Sequence, residues 1–263
     1  MNVTTLNLCF ACYLAALAAY AAAYLFARPG WRRGGLALLA AAWLLQTAFL
    51  AARWHTAGHA PLSNQFESLV SMSWGATGLS FCFWRLAPGA WLGPGTAILS
   101  LALLGVCALL DASLAPLMPA LRSNWLLLHV SVIMLAYAAL ALSFLAGTAF
   151  LAVYDRRAGD EKAAALDRFN ERAMGLGYLL LTAGIILGAV WANEAWGSYW
   201  SWDPKETWSL ITWMVYTAAI HLRRTHGWKG RRMAWFSVAG FAFVLFTYFG
   251  VNYLMSSLHS YAR

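Results

Sequence analysis

Eight apolar runs, each close to the length a helix needs to cross a bilayer, constrain this chain more than any other feature. They fall near residues 5–27, 35–52, 66–84, 93–110, 125–153, 173–192, 206–222 and 233–255. The residues are 62% hydrophobic and 11% charged, whereas a soluble domain carries about 25% charge. Inside a bilayer every backbone polar group must be satisfied within the protein. The expected fold is therefore all-α: a polytopic membrane helical bundle of about eight transmembrane helices. The first run, Leu6 to Phe26, is too long for the apolar part of a signal peptide and lacks a basic leader, so it is read as a span. The fourth run is the least regular, because Gly93, Pro94 and Gly95 crowd its start.

Basic residues set the expected orientation. Fourteen of the 18 Lys and Arg lie in the loops after runs one, three, five and seven, and four (Arg53, Arg122, Lys205 and Arg263) lie on the other side. The positive-inside rule places the first set in the cytoplasm and both termini outside. The net charge of +8 is thus explained by topology, and no loop is long enough to form a soluble module. A nucleic-acid function is excluded on that ground. A single integral-membrane domain over residues 1–263 is expected. Cys9 and Cys12 form a CxxC, but Tyr13 follows where covalent haem attachment needs His. Two small residues on one helix face are the plainer reading.

The outer face receives the segment Trp191 to Trp208, WANEAWGSYWSWDPKETW, which holds five of the 15 tryptophans (Trp191, Trp196, Trp200, Trp202 and Trp208). Asp203, Pro204 and Glu206 have the spacing of a helix N-cap, a first-turn proline and a capping box. The tryptophans before them are expected on a loop or short surface helix. An aromatic belt at the membrane interface is the simpler explanation. A belt needs only one or two Trp at each helix end, however. Five together suit a platform for a large planar ligand.

Histidines converge on the same face. His129 lies about 6 Å into the fifth run by helix rise, and His259 follows the eighth. A histidine inside a span is costly unless paired or functional, and a hydrogen bond to a neighbouring helix would suffice to explain His129. Two neutral imidazoles beside an aromatic slot are also what axial ligation of haem iron requires. His221 sits about 22 Å down the seventh run, near the inner end. It is either an interfacial residue ahead of Arg223 and Arg224 or a ligand at a second, inner site whose other ligand comes from a partner chain or is a weaker one such as a methionine. His55 and His59 lie on the outer side, where His59 could contact an outer ligand but a loop hydrogen bond is the plainer reading, and His226 is placed in the basic inner loop.

The run WGSYWSWDPKETWSLITW resembles the tryptophan-rich WWD signature of membrane proteins of cytochrome c biogenesis. GHAPLSNQFESL, LHVSVIMLAYAAL and FTYFGVNYLMSSLHSYA are similar to the CcsA/ResC type of System II rather than to the CcmC or CcmF types. The resemblance covers about Gly58 to Ala262. It implies the haem-handling subunit of a cytochrome c synthetase, which carries haem b across the membrane and presents it to apocytochrome c CxxCH motifs for thioether formation. On the family pattern His129 and His259 are the outer haem ligands and His221 is the intramembrane one. Trp196, Trp200, Trp202, Asp203 and Trp208 belong to the WWD segment of the haem site. The resemblance also implies a CcsB/ResB-like membrane partner, thiol-reducing proteins, and a cytoplasmic membrane, or a thylakoid if the chain is plastid-encoded. No side chain is assigned as a catalytic acid or base. A CcmC-type haem chaperone without synthetase activity is the alternative.

Overall fold

The computed structural model describes residues 3–87, 91–114, 116–154, 161–256 and 258. Among them every regular element is helical, so the protein is an all-α membrane bundle. The chain divides into two compact units, Met1–Leu117 and Met118–Arg263.

The first unit holds α1 (Val3–Leu25), α2 (Pro29–Ala57), α3 (Gln65–Cys82) and α4 (Leu92–Cys107). Pro29 starts α2 where a missing N–H costs nothing, and Gly58 ends it in the left-handed region at φ 73°. Pro94 falls in the first turn of α4, so the irregular start foreseen there is a helix N-terminus. A polar knot joins the four helices in their apolar interior. The Tyr13 hydroxyl donates to Gln46 Oε1 at 2.8 Å and lies 2.9 Å from Thr77 Oγ1, which in turn meets Ser100 Oγ at 3.1 Å. Gln46 Nε2 donates to the Val70 carbonyl. In an apolar surround such bonds fix helix register, because the alternative is an unpaired polar group. Glu67, fully buried, accepts from Arg53 Nε at 2.6 Å and from the Ser63 amide and hydroxyl, while Asn64 caps α3.

The second unit holds α5 (Asn124–Ala149), α6 (Glu161–Trp196), α7 (Pro204–His226), α8 (Arg231–Leu245) and the short α9 (Val251–Leu254). A wide π-helical turn, Phe150–Tyr154, extends α5, and another, Phe246–Gly250, joins α8 to α9. Helices α5 and α6 form the most intimate pair. Gly188, Gly184 and Gly177 of α6 lie against His129, Ile133 and Leu140 of α5, and a side chain at any of the three glycines would collide with its partner. The spacings mirror each other, four residues and then seven on both helices. Small residues here let the backbones approach and lock an antiparallel register. At the other end, Arg223 holds Asp167 through both guanidinium nitrogens, at 3.1 and 2.9 Å, and Asp167 also accepts from the Gly230 amide.

All eight apolar runs are helical. Among the described residues five helical stretches are long and apolar enough to cross a membrane: Thr4–Leu25, Pro29–Ala57, Asn124–Val153, Glu161–Trp196 and Arg231–Leu254. Helix α4 is apolar but shorter, and α3 and α7 carry many more hydroxyl, amide and charged side chains. Helix α6 also begins earlier than its hydropathy suggests. Residues before the expected span bury Ala163, Leu166, Phe169 and Asn170, together with the paired Asp167, and leave Glu161, Lys162, Arg168, Glu171 and Arg172 outside, an amphipathic pattern that average hydropathy does not detect.

Candidate functional site

Helix α5 carries His129 in its second turn, and the α6 glycines decide its chemistry. Its Nδ1 lies 2.7 Å from the Gly184 carbonyl oxygen. A carbonyl only accepts, so Nδ1 carries the proton and Nε2 carries the lone pair. Gly188, one turn on, leaves the space the ring occupies, since a Cβ there would stand 2.6 Å from Cε1. The ring is stacked on Trp191, with centroids 6.4 Å apart and 12° between planes. Trp191 is itself 1% exposed, donates to the Ala120 carbonyl at 3.1 Å, and meets the Trp196 ring edge-on at 4.7 Å. Ser123, the cap of α5, donates to Glu194 of α6. The imidazole is thus held in one tautomer and one orientation by a carbonyl, an indole and two glycines.

The tryptophan segment is split between helix and loop, which corrects one expectation. Trp191 and Trp196 belong to the last turns of α6, because the helix continues until Gly197 takes the left-handed conformation at φ 77°. Only residues 197–203 form a loop. There Trp200 and Trp202 meet edge-on at 5.9 Å. Trp202 adopts φ 59°, a region few residues other than glycine or asparagine enter, and is 68% exposed. Such strain is maintained by its surroundings: Thr207 donates to the Trp202 carbonyl, and Glu206 accepts from the amides of Ser201 and Asp203. The capping box foreseen at Asp203 and Glu206 is present. Trp208 points elsewhere, onto Phe246 at 4.2 Å and Phe243 at 6.3 Å of the α8 side.

Two contacts that sequence spacing does not reveal complete this end of the unit. Asp203, besides capping α7 through Oδ2, accepts the Leu258 amide on Oδ1 at 2.7 Å. Lys205 Nζ donates to Asn252 Oδ1 of α9 at 2.7 Å. Burial pushes this ammonium down to about 8, and the charge of Asp203 acts in the opposite direction.

A match to the cytochrome C assembly protein family spans residues 62–259. The chain belongs to that family. Its curated relatives named cytochrome c biogenesis protein CcsA include one from Synechocystis, 37% identical with 99% of both chains covered, and one from Synechococcus elongatus, 41% identical over 86% of each. Another, from Synechococcus sp. strain CC9605, is 43% identical over 87% of each. The protein is thus of the CcsA type foreseen from its motifs. Among solved structures it shares its fold with the cytochrome c haem lyase CcmF, at TM-score 0.71 and 21% identity, covering 97% of this chain. The chain spans 46% of that longer protein.

The remaining histidines of this cytochrome c assembly protein fall in separate places. His221 is exposed on α7 with its ring 6.3 Å from that of His226. His226 is the last residue of α7 rather than a loop residue, and its Nδ1 lies 2.7 Å from Thr225 Oγ1. His55 is exposed on α2, and His59 Nδ1 donates to the adjacent Ala60 carbonyl, as foreseen. His259 lies outside the described residues. Groups of three or more His, Cys, Asp or Glu able to hold a bare metal ion are absent among the described residues.

Proposed function

We propose that residues 1–263 act as one haem-handling domain that holds haem b at the outer end of α5, α6 and α7 and presents it for thioether attachment to apocytochrome c. The carrying observation is His129: the Nδ1–H bond to a backbone carbonyl fixes the tautomer in which Nε2 is the donor atom for iron, the arrangement in which a metal-ligating histidine is oriented by its other nitrogen. His259 supplies the second axial nitrogen, and Asp203 fixes the residue before it. Trp196, Trp200 and Trp202 offer ring faces and edges to the macrocycle, and Trp208 steadies the first turns of α7 from the α8 side. His221 ligates haem at an inner site together with a residue of a CcsB/ResB-like partner.

Attachment is an addition. Each cysteine sulfur of a CxxCH motif bonds to the inner carbon of a vinyl group while the thiol hydrogen goes to the outer carbon, with no net oxidation. The protein contributes position, since holding haem and peptide together removes the entropy cost of their encounter. The thiols must arrive reduced, which makes thiol-reducing proteins partners. The setting is the cytoplasmic membrane, or a thylakoid for a plastid-encoded chain, with both termini outside.

The test is His129→Ala in the full chain, co-expressed with a ResB-like partner and an apocytochrome. Holocytochrome formation is expected to fall to background and the Soret band of the purified complex to shift, with external imidazole restoring part of both. Full cytochrome assembly by the variant would overturn the proposal. Haem binding by the wild type without thioether formation would leave a chaperone in place of a synthetase.

A further inference from the structure

We infer that Lys205 is the anchor for a carboxylate of the ligand held at the outer end of the second unit, a propionate if that ligand is haem. The inference rests on the haem-holding role proposed above.

Lys205 is an anomaly as a structural residue. It occupies the second position of α7, after the Asp203 cap and Pro204, where the positive end of the helix dipole disfavours a cation. It is half-buried, which adds a desolvation cost. Among the described residues it makes no ion pair, and its hydrogen-bond partner is the neutral amide oxygen of Asn252. Asp203, whose charge acts on the ammonium, has its oxygens engaged by the backbone amides of Lys205 and Leu258. One donor of three is therefore directed by Asn252, and among the described residues no carboxylate lies within ion-pair distance of the ammonium. A half-buried cation in this condition is stabilised by an anion that arrives with a ligand.

Position supports the same conclusion. Asn252 lies in α9, a few residues before the tail that carries His259, and Lys205 lies two residues after Asp203, which holds that tail. Of the other cations assigned to this side of the membrane, Arg53 is saturated: Glu67 and the carbonyls of Ala112 and Ser113 take its Nε, Nη1 and Nη2. Arg122 is exposed. Among the described ones, Lys205 combines partial burial with the lack of an ion pair.

The experiment compares two probes on the detergent-purified full chain, stripped of haem: ferric protoporphyrin IX and its dimethyl ester, titrated by Soret absorbance. Wild type is expected to bind the free acid about tenfold more tightly than the diester, the effect of roughly one charge-assisted bond. Lys205→Met is expected to bring that ratio close to one while leaving diester affinity and the thermal midpoint unchanged or higher. Lys205→Arg keeps most of the preference. Retention of the full ratio by Lys205→Met overturns the inference, as does a lowered midpoint with the ratio intact, which would mark Lys205 as structural. Failure of wild type to bind either porphyrin would remove the haem-holding role itself, and this inference with it.

Discussion

Asp203 Oδ1 accepts the backbone N–H of Leu258 at 2.7 Å, across 55 residues of chain. One carboxylate thereby serves two segments, since its other oxygen caps α7 at the Lys205 amide. The arrangement couples the tryptophan loop to the tail that carries His259.

Asparagine at this position has one acceptor oxygen and cannot satisfy both amides. Asp203→Asn is therefore expected to cost about 1 kcal/mol from the weakened cap or the weakened tail. Limited proteolysis would show earlier cleavage of the C-terminal tail and haem would be lost faster on dilution. A tail as resistant as that of the wild type would separate Asp203 from the placement of His259.

The α5–α6 register yields a paired test. Gly177→Ala and Gly188→Ala each introduce a methyl into a filled space, against Leu140 and the His129 ring respectively. Both are expected to destabilise by about 1–3 kcal/mol, measured as a lower thermal midpoint. Only Gly188→Ala displaces the imidazole, so it alone is expected to change the Soret spectrum. An identical spectrum in both variants would disconnect His129 from the ligand.

How far the sequence anticipates this site depends on whether a signal is local. The capping box at Asp203 and Glu206 is local, and it is where the spacing puts it. The end of α6 is also local, but hydropathy ends it too early, because Asn193 and Glu194 close the apolar run while the helix continues to Trp196. A glycine after the last helical turn was the stronger sign. The bond between His129 and Gly184 requires knowing that α5 and α6 pair, which hydropathy does not state. A trace of it exists: the spacings His129, Ile133, Leu140 and Gly177, Gly184, Gly188 are mirror images. Lys205 and Asn252 share no pattern at all, and only the folded chain brings them together.

At the opposite end of the unit, buried Asp167 is paired with half-buried Arg223, which also meets the exposed Glu171. Arg223→Met leaves the Asp167 carboxylate without its counter-ion and is expected to cost about 3–5 kcal/mol. Adding Asp167→Asn removes the stranded charge and is expected to recover part of that loss. A chemical or thermal denaturation cycle on the four proteins measures the coupling. Additive losses would mean that the pair is not the tie between α6 and α7.

Trp202 offers the sharpest separation of stability from function. Its φ of 59° costs a non-glycine residue about 1 kcal/mol or more, and its ring, 68% exposed, buries little apolar area in return. Trp202→Gly relieves the backbone and adds freedom to the unfolded chain, two effects of similar size and opposite sign. The thermal midpoint is therefore expected to stay within about 3 °C of the wild type, since roughly 1 kcal/mol moves a domain of this size by 2–4 °C. Haem retention through gel filtration is expected to drop several-fold, because an exposed aromatic in a strained loop has the ligand as its partner. The ligation spectrum of the haem that remains is expected to be unchanged, since no nitrogen donor is lost. A large fall in the midpoint together with full haem retention would make Trp202 a folding residue and remove it from the site.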